Sequence, residues 1–257
     1  MKSLLQKQAF FSVLLYNKLN NIMKRNILLL QFRENKLVAR HEEKCILKYL
    51  GRRANLISKN VFLDDFNFSD SFSQRISAVI LGGSNFSFSE RGKYPSLWGK
   101  IKKITPFLKK IIKKNVSTLG ICFGHQYLAY VLRAKIIKDE SQQEIGTFKV
   151  SLTKKGRADD LFRGIPSKFF VQEAHKDSIK KLPQKTILLA EGKRCKIQAF
   201  RYKNIYGVQF HPELNIKDMR LRSSFYPGYI VGETARFKPT PFCRKVFENF
   251  FDTNIKN

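Results

Sequence analysis

The sequence predicts an α/β fold: a largely parallel sheet flanked by helices, in a single domain. Three observations carry that expectation. Short, largely apolar runs such as ILLLQF (27–32) and AVIL (78–81) alternate with segments of helical period. Glycines punctuate the ends of two of these runs, where strands turn over into the next element. The chain has 257 residues, 43% of them hydrophobic, enough for a sizeable core.

Taken in order, residues 27–32 read as a buried first strand. Residues 41–50 place Cys45, Ile46 and Leu50 near helical spacing, with Gly51 as the C-cap. The strand at 78–81 runs into Gly82-Gly83-Ser84. Trp98, Ile101, Ile104, Leu108, Ile111 and Ile112 form one helical stripe despite Pro106. Residues 116–121 are a further buried strand, followed by a helical run over 125–132. Residues 147–153 alternate as a strand does, and 169–172 and 187–190 are shorter strands. Residues 198–201 and 205–210 read as a hairpin approaching His211, and Pro239 and Pro241 precede a closing helix at 242–251. Residues 1–22 are an N-terminal extension, and 23–257 form the domain.

The balance of 49 Lys+Arg against 20 Asp+Glu gives a formal charge of +29. Such a charge steers anionic partners. The lysines are scattered in short clusters, however, so the charge reads as a solvated coat and specific nucleic-acid binding is not expected. Cys45, Cys122, Cys195 and Cys243 form no CxxC pair, which supports neither a zinc site nor a disulfide framework and fits a reducing cytoplasm. The apolar stretch at 9–16 is too short to span a bilayer, and no cleavage site follows it, so no membrane span or secretory signal is expected.

Gly120-Ile121-Cys122-Phe123-Gly124 lies where a buried strand turns into a helix, the nucleophile-elbow pattern. The turn strains the central residue, and the helix N-terminus favours an anionic nucleophile there. His211-Pro212-Glu213 follows the last strand; on an extended backbone residues two apart share a side, so the carboxylate of Glu213 can orient the imidazole of His211. The backbone N–H groups of Gly83, in the Gly82-Gly83-Ser84 turn, and of Phe123 are candidate oxyanion donors.

These residues resemble the class I (triad) glutamine amidotransferases. GICFGHQ (120–126), the His211-Pro212-Glu213 ending and the Gly82-Gly83 turn carry the resemblance, which runs from about residue 27 to the closing helix. It implies a Rossmann-like (flavodoxin-like) fold, Cys122 as nucleophile, His211 as general base and acid, and Glu213 as its orienter. It further implies that Gly83 and Phe123 stabilise the oxyanion, and that Gln126 and Gly82 lie at the glutamine pocket. Glu144-Ile145-Gly146, His175-Lys176-Asp177 and the segment from Cys195 to Phe200 resemble the GMP-synthase-like stand-alone branch. There His175 and Asp177 order a loop, meet a partner or form a structural pair, and Cys195 is structural. A departure is Arg133-Ala134-Lys135, where relatives often carry a glycine turn.

The chemistry so implied is hydrolysis of the glutamine side-chain amide through a Cys122 γ-glutamyl thioester, with no metal and no cofactor. The ammonia acceptor is then a separate synthetase subunit. One alternative is a γ-glutamyl peptidase using the same triad. Another is a nucleic-acid-binding or regulatory protein on an inactive amidotransferase scaffold.

Overall fold

The computed structural model describes residues 25–51, 53–65, 68, 76–226 and 237–254. The proposed extension at 1–22 lies outside them. Strand β1 (Arg25–Phe32) leads to helix α1 (Lys36–Leu50), edge strand β2 (Ala54–Asn60) and central strand β3 (Ile76–Ser84). Helices α2 (Pro95–Lys103) and α3 (Thr105–Lys113) precede β4 (Ser117–Ile121), which enters α4 (Phe123–Val131). Then come β5 (Ile136–Lys138), β6 (Glu144–Leu152), the single-turn α5 (Lys154–Arg157), β7 (Lys168–His175), β8 (Asp177–Ile179) and β9 (Ile187–Gly192). The hairpin β10 (Ala199–Tyr202) and β11 (Ile205–Val208) is followed by α6 (Ile216–Ser224) and the closing α7 (Cys243–Asn254).

One nine-stranded sheet runs in the order β2-β1-β3-β4-β11-β10-β9-β6-β7. Pairing is parallel from β2 through β1, β3 and β4 to β11, and antiparallel from there on. A separate antiparallel pair joins β5 to β8. Strand alternation explains why the parallel strands read as continuous apolar runs. Ile27 and Leu29 face a core closed by α1 and α7, with Ile46, Leu50, Phe247 and Phe251. Their neighbours Leu28 and Leu30 face the opposite core, closed by α2, α3 and α4. Both faces are buried, so the strand interior is apolar on either face up to Gln31, whose amide is bonded internally.

The expected single helix over 98–112 is two helices. Ile104 ends α2 and begins α3, and Pro106 sits in the first turn of α3. Proline lacks the N–H that a continuous helix would use and clashes with the preceding turn, whereas a first turn tolerates it. Helix α1 begins earlier than its apolar stripe indicates, because the Asn35 side chain accepts from the N–H of Leu37 at 2.8 Å and of Val38 at 3.4 Å.

The unusual turn after α4 has a physical explanation. Ala134 N–H donates to Ala129 O and Arg133 N–H to Tyr130 O, each at 2.8 Å, closing the helix with Arg133 at φ 76°. This is a Schellman closure with arginine at the left-handed position that glycine occupies without steric cost. Arg133→Gly should therefore stabilise the fold by about 1 kcal/mol. A thermal melt read against the unsubstituted chain checks it; a lowered midpoint would contradict the account of this turn.

Candidate active site

The carboxyl edge of the parallel strands gathers the chemistry. Arg33 follows β1, Gly82 and Gly83 lie at the end of β3, Cys122 follows β4, and His211 lies three residues beyond β11. Because β3, β4 and β11 are neighbours, residues distant in sequence meet at adjacent strand ends.

Cys122 is the hinge between β4 and α4, with φ 51° and ψ −103°. A left-handed non-glycine backbone costs on the order of 1–3 kcal/mol and persists only where its surroundings hold it. Here the Cys122 N–H donates to Val208 O at 2.9 Å, and the Cys122 carbonyl accepts from Gln126 N–H at 3.1 Å. A Cβ on Gly124 would collide with the Leu81 carbonyl, so glycine lets α4 press against β3 directly behind the cysteine.

His211 is anchored by its backbone N–H, which donates to Gln172 O at 2.8 Å. Its Nδ1 lies 2.8 Å from Glu213 Oε1, and the Cys122 side chain is a further hydrogen-bonding neighbour of the ring. The expected contact is present, but the extended backbone is not: residues 212–213 form a turn, with Leu214 N–H reaching back to His211 O at 3.4 Å. The turn folds the carboxylate back onto the ring. Burial alone pushes the imidazole down, yet the charges of Glu213 and Cys122 outweigh it and lift the His211 pKa to about 9. Burial pushes Glu213 up, but His211 and Arg222 bring it below the usual carboxylate value. Burial holds Cys45 and Cys243 as thiols with pKa pushed up to about 12, and raises Cys195 likewise. A cysteine facing an imidazolium whose far nitrogen is held by a carboxylate is an arrangement for nucleophilic acyl transfer.

Gly83 sits at the centre of the site. A Cβ there would lie 2.9 Å from Arg33 Nη2, 3.1 Å from His211 Cε1 and 3.7 Å from Cys122 Cβ. Its N–H is not directed at an open oxyanion position, as the sequence suggests; it donates to Glu42 Oε1 at 3.2 Å. Glu42 is a buried carboxylate that also accepts from Arg33 Nη2 at 2.6 Å and from Gln31 Nε2 at 3.2 Å. Gly82, expected at the substrate, instead makes room for that carboxylate, whose oxygens would lie 2.8 Å from a Cβ. Phe123 opens α4, so its N–H has no intrahelical acceptor and remains a candidate donor.

Gln126 is buried and does not line the cleft beside His211. Its Nε2 donates to Asp177 O at 2.7 Å and to Gln209 Oε1 at 3.1 Å, tying α4 to β8 and to the segment leading into His211. His175 and Asp177 are buried too. Asp177 accepts from the N–H and hydroxyl of Ser89, each at 2.8 Å, so it orders the short 3-10 turn after β3. His175 contacts Asp177 O at 3.1 Å through Nδ1 and Glu144 Oε2 at 3.4 Å through Nε2. The structural reading of this pair is the one its burial supports.

The sequence shows no metal-ligand spacing, but the fold brings Glu144, His175 and Cys195 together, their ligand atoms within 4.8 Å of one another. His41, Cys45 and Asp218 also meet. There the Lys48 ammonium already neutralises Asp218 at 2.8 Å.

Sequence reasoning missed Arg33, Glu42 and Arg222. The cleft beside His211 is lined by Arg33, Ser84, Ala174, Arg222 and Tyr226, among others. One signal was available: Glu42 falls on the buried stripe of α1 with Val38, Ala39, Cys45 and Ile46, where a carboxylate needs an internal partner.

Comparison with known proteins shows the family. The sequence profile of the family described as Glutamine amidotransferase class-I matches residues 54–225. The chain is 33% identical over 172 residues to a glutamine-hydrolyzing GMP synthase subunit from Pyrococcus furiosus, covering 65% of this chain and 80% of that protein. It is 30% identical over 176 residues to the corresponding protein of Thermoplasma acidophilum, covering 68% and 78%. The structure resembles a glutamine amidotransferase from Thermotoga maritima with a TM-score of 0.72 at 21% identity, covering 91% of this chain and 99% of that one. It also resembles a putative GMP synthase subunit from Thermoplasma acidophilum, with a TM-score of 0.63 at 25% identity over 88% and 92% of the two chains. With the family profile matching most of its length and its fold shared with solved amidotransferases, the chain belongs to the class-I glutamine amidotransferase family.

Proposed function

We propose that Cys122, His211 and Glu213 hydrolyse the side-chain amide of glutamine through a γ-glutamyl thioester, and that the ammonia serves a separate synthetase subunit. The observation that carries this reading is the Cys122–His211–Glu213 constellation at the carboxyl edge. The Cys122 sulfur attacks the carboxamide carbon, and the Phe123 N–H faces the developing oxyanion. The Gly83 N–H joins it once Glu42 yields that donor. His211 gives its proton to the departing ammonia. Acylation removes the Cys122 contribution that helped hold the proton on His211, so the imidazole becomes the better base for the water that releases glutamate. It takes up that water's proton, and the sulfur leaves as it entered.

The relatives' names support the partner: each is a subunit of a glutamine-hydrolyzing GMP synthase. No helix among the described residues is long and apolar enough to cross a membrane, and the four cysteines are free. The free thiols suit a reducing cytoplasm, and the +29 charge is read as a solvated coat. The test is ammonia and glutamate release from glutamine by the purified chain, alone and with cell extract. Stimulation by extract is the expected result. Hydrolysis of γ-glutamyl peptides with glutamine left intact would replace this reading by the peptidase alternative.

A further inference from the structure

The cleft beside His211 holds an unbalanced buried cation. Arg33 and Arg222 both line it, and both are almost fully buried, at 3% and 7% exposure. Glu42 is committed to Arg33, with Nη2 at 2.6 Å and Nε at 3.1 Å from its Oε1. Arg222 receives far less: its Nη1 lies 3.9 Å from the same oxygen, beyond hydrogen-bond reach. Among the described residues, neither Nη1 nor Nη2 of Arg222 has a hydrogen-bond partner. Two guanidinium groups thus share one carboxylate, because the other nearby acid, Glu213, is held by His211 at 2.8 Å.

The orientation of Arg222 is nevertheless fixed. Its Nε donates to His41 Nδ1 at 3.3 Å, and His41 Nε2 lies 3.3 Å from Asp218 Oδ1. Burial and the neighbouring Arg222 charge keep His41 below its ordinary value, so it is a neutral acceptor. Holding the guanidinium by one edge leaves its two terminal nitrogens as a fork. A buried guanidinium with a free fork is costly unless an anion fills it, and the planar, two-oxygen anion it matches is a carboxylate. The scissile amide must reach Cys122, which faces the same His211, and glutamine carries one carboxylate, at its far end.

We propose that Arg222 is the anchor for the α-carboxylate of the γ-glutamyl substrate. This rests on the catalytic reading above and adds how the enzyme selects a free α-carboxylate. Arg222 disfavours the α-carboxamide analogue of glutamine, because an uncharged group leaves the guanidinium buried without a counter-charge. It is equally consistent with glutamine and with γ-glutamyl peptides, which share that end.

The test compares L-glutamine with L-glutaminamide, its α-carboxamide analogue, as protectors of Cys122 against iodoacetamide, using the intact chain. The expected result is protection by glutamine at concentrations about 100-fold lower than by glutaminamide, the range of a charge-assisted bidentate contact. In Arg222→Met the two should converge to within a few-fold, with glutamine losing the affinity. Arg222→Lys, which keeps the charge and loses the fork, should retain the preference for glutamine at roughly tenfold weaker binding. Equal protection by the two compounds in the wild-type chain, or an undiminished preference in folded Arg222→Met, would overturn the proposal. Protection by neither would overturn it as well. Turnover of glutamine by the wild-type chain in the same series reports on the catalytic reading independently, because it does not depend on which α-carboxyl derivative is preferred.

Discussion

Cys122→Ala is expected to abolish glutamine hydrolysis, with a loss of at least about 10⁴-fold, as when a triad loses its nucleophile. Alanine removes the sulfur proposed to form the thioester and leaves the rest of the site in place. Substitution of Cys45, Cys195 or Cys243 by alanine should leave the rate within a few-fold of wild type. Burial keeps those three as thiols: Cys45 and Cys243 are pushed up to about 12, and Cys195 is raised as well. A continuous ammonia assay on the four single variants checks the contrast. Substantial activity in Cys122→Ala would remove the cysteine from the mechanism.

Glu213→Gln should cost roughly 10- to 100-fold less than loss of the nucleophile, and its cost should depend on pH. The direction follows from His211. Its pKa stands at about 9 in the folded chain against an ordinary 6.5. The imidazolium therefore contributes stability that is complete below about 6.5 and is lost as pH rises through about 9. The proton available to the departing ammonia follows the same window. Glutamine keeps a hydrogen-bonding group but not the charge that opposes burial, so the alkaline limb of kcat/KM should move to lower pH. The deficit of Glu213→Gln should then be small at the acid end of the profile and grow toward alkaline pH. A limb in the same place as wild type would show that another group holds the proton on His211.

The parallel half of the sheet was legible because both its faces are buried: residues 27–32 and 78–81 carry no polar alternation to confuse the reading. The elbow and His211-Pro212-Glu213 were legible because strained turns and neighbouring partners are local features. Strand β2 was not assigned, since as an edge strand its residues 55–59 are only partly buried or exposed and carry Asn, Ser and Lys. The break at Ile104 was masked by apolar residues that keep helical spacing across it. Arg33 after β1, Glu42 on α1 and Arg222 on α6 come from three separate parts of the chain whose meeting depends on the closed fold. Glu42 also explains why a local reading of Gly82-Gly83 as a free donor turn falls short, since a carboxylate from α1 already fills it.

The proposed mechanism turns on a covalent bond between the γ-glutamyl group and Cys122. Acid quenching of the wild-type enzyme during steady turnover of glutamine, followed by peptide mass spectrometry, tests that bond directly. The account predicts a γ-glutamyl adduct on the peptide containing Cys122, absent without glutamine and absent from Cys122→Ala. An adduct on the peptide of Cys45, Cys195 or Cys243 would contradict it, and so would sustained turnover with unmodified Cys122 at every quench time.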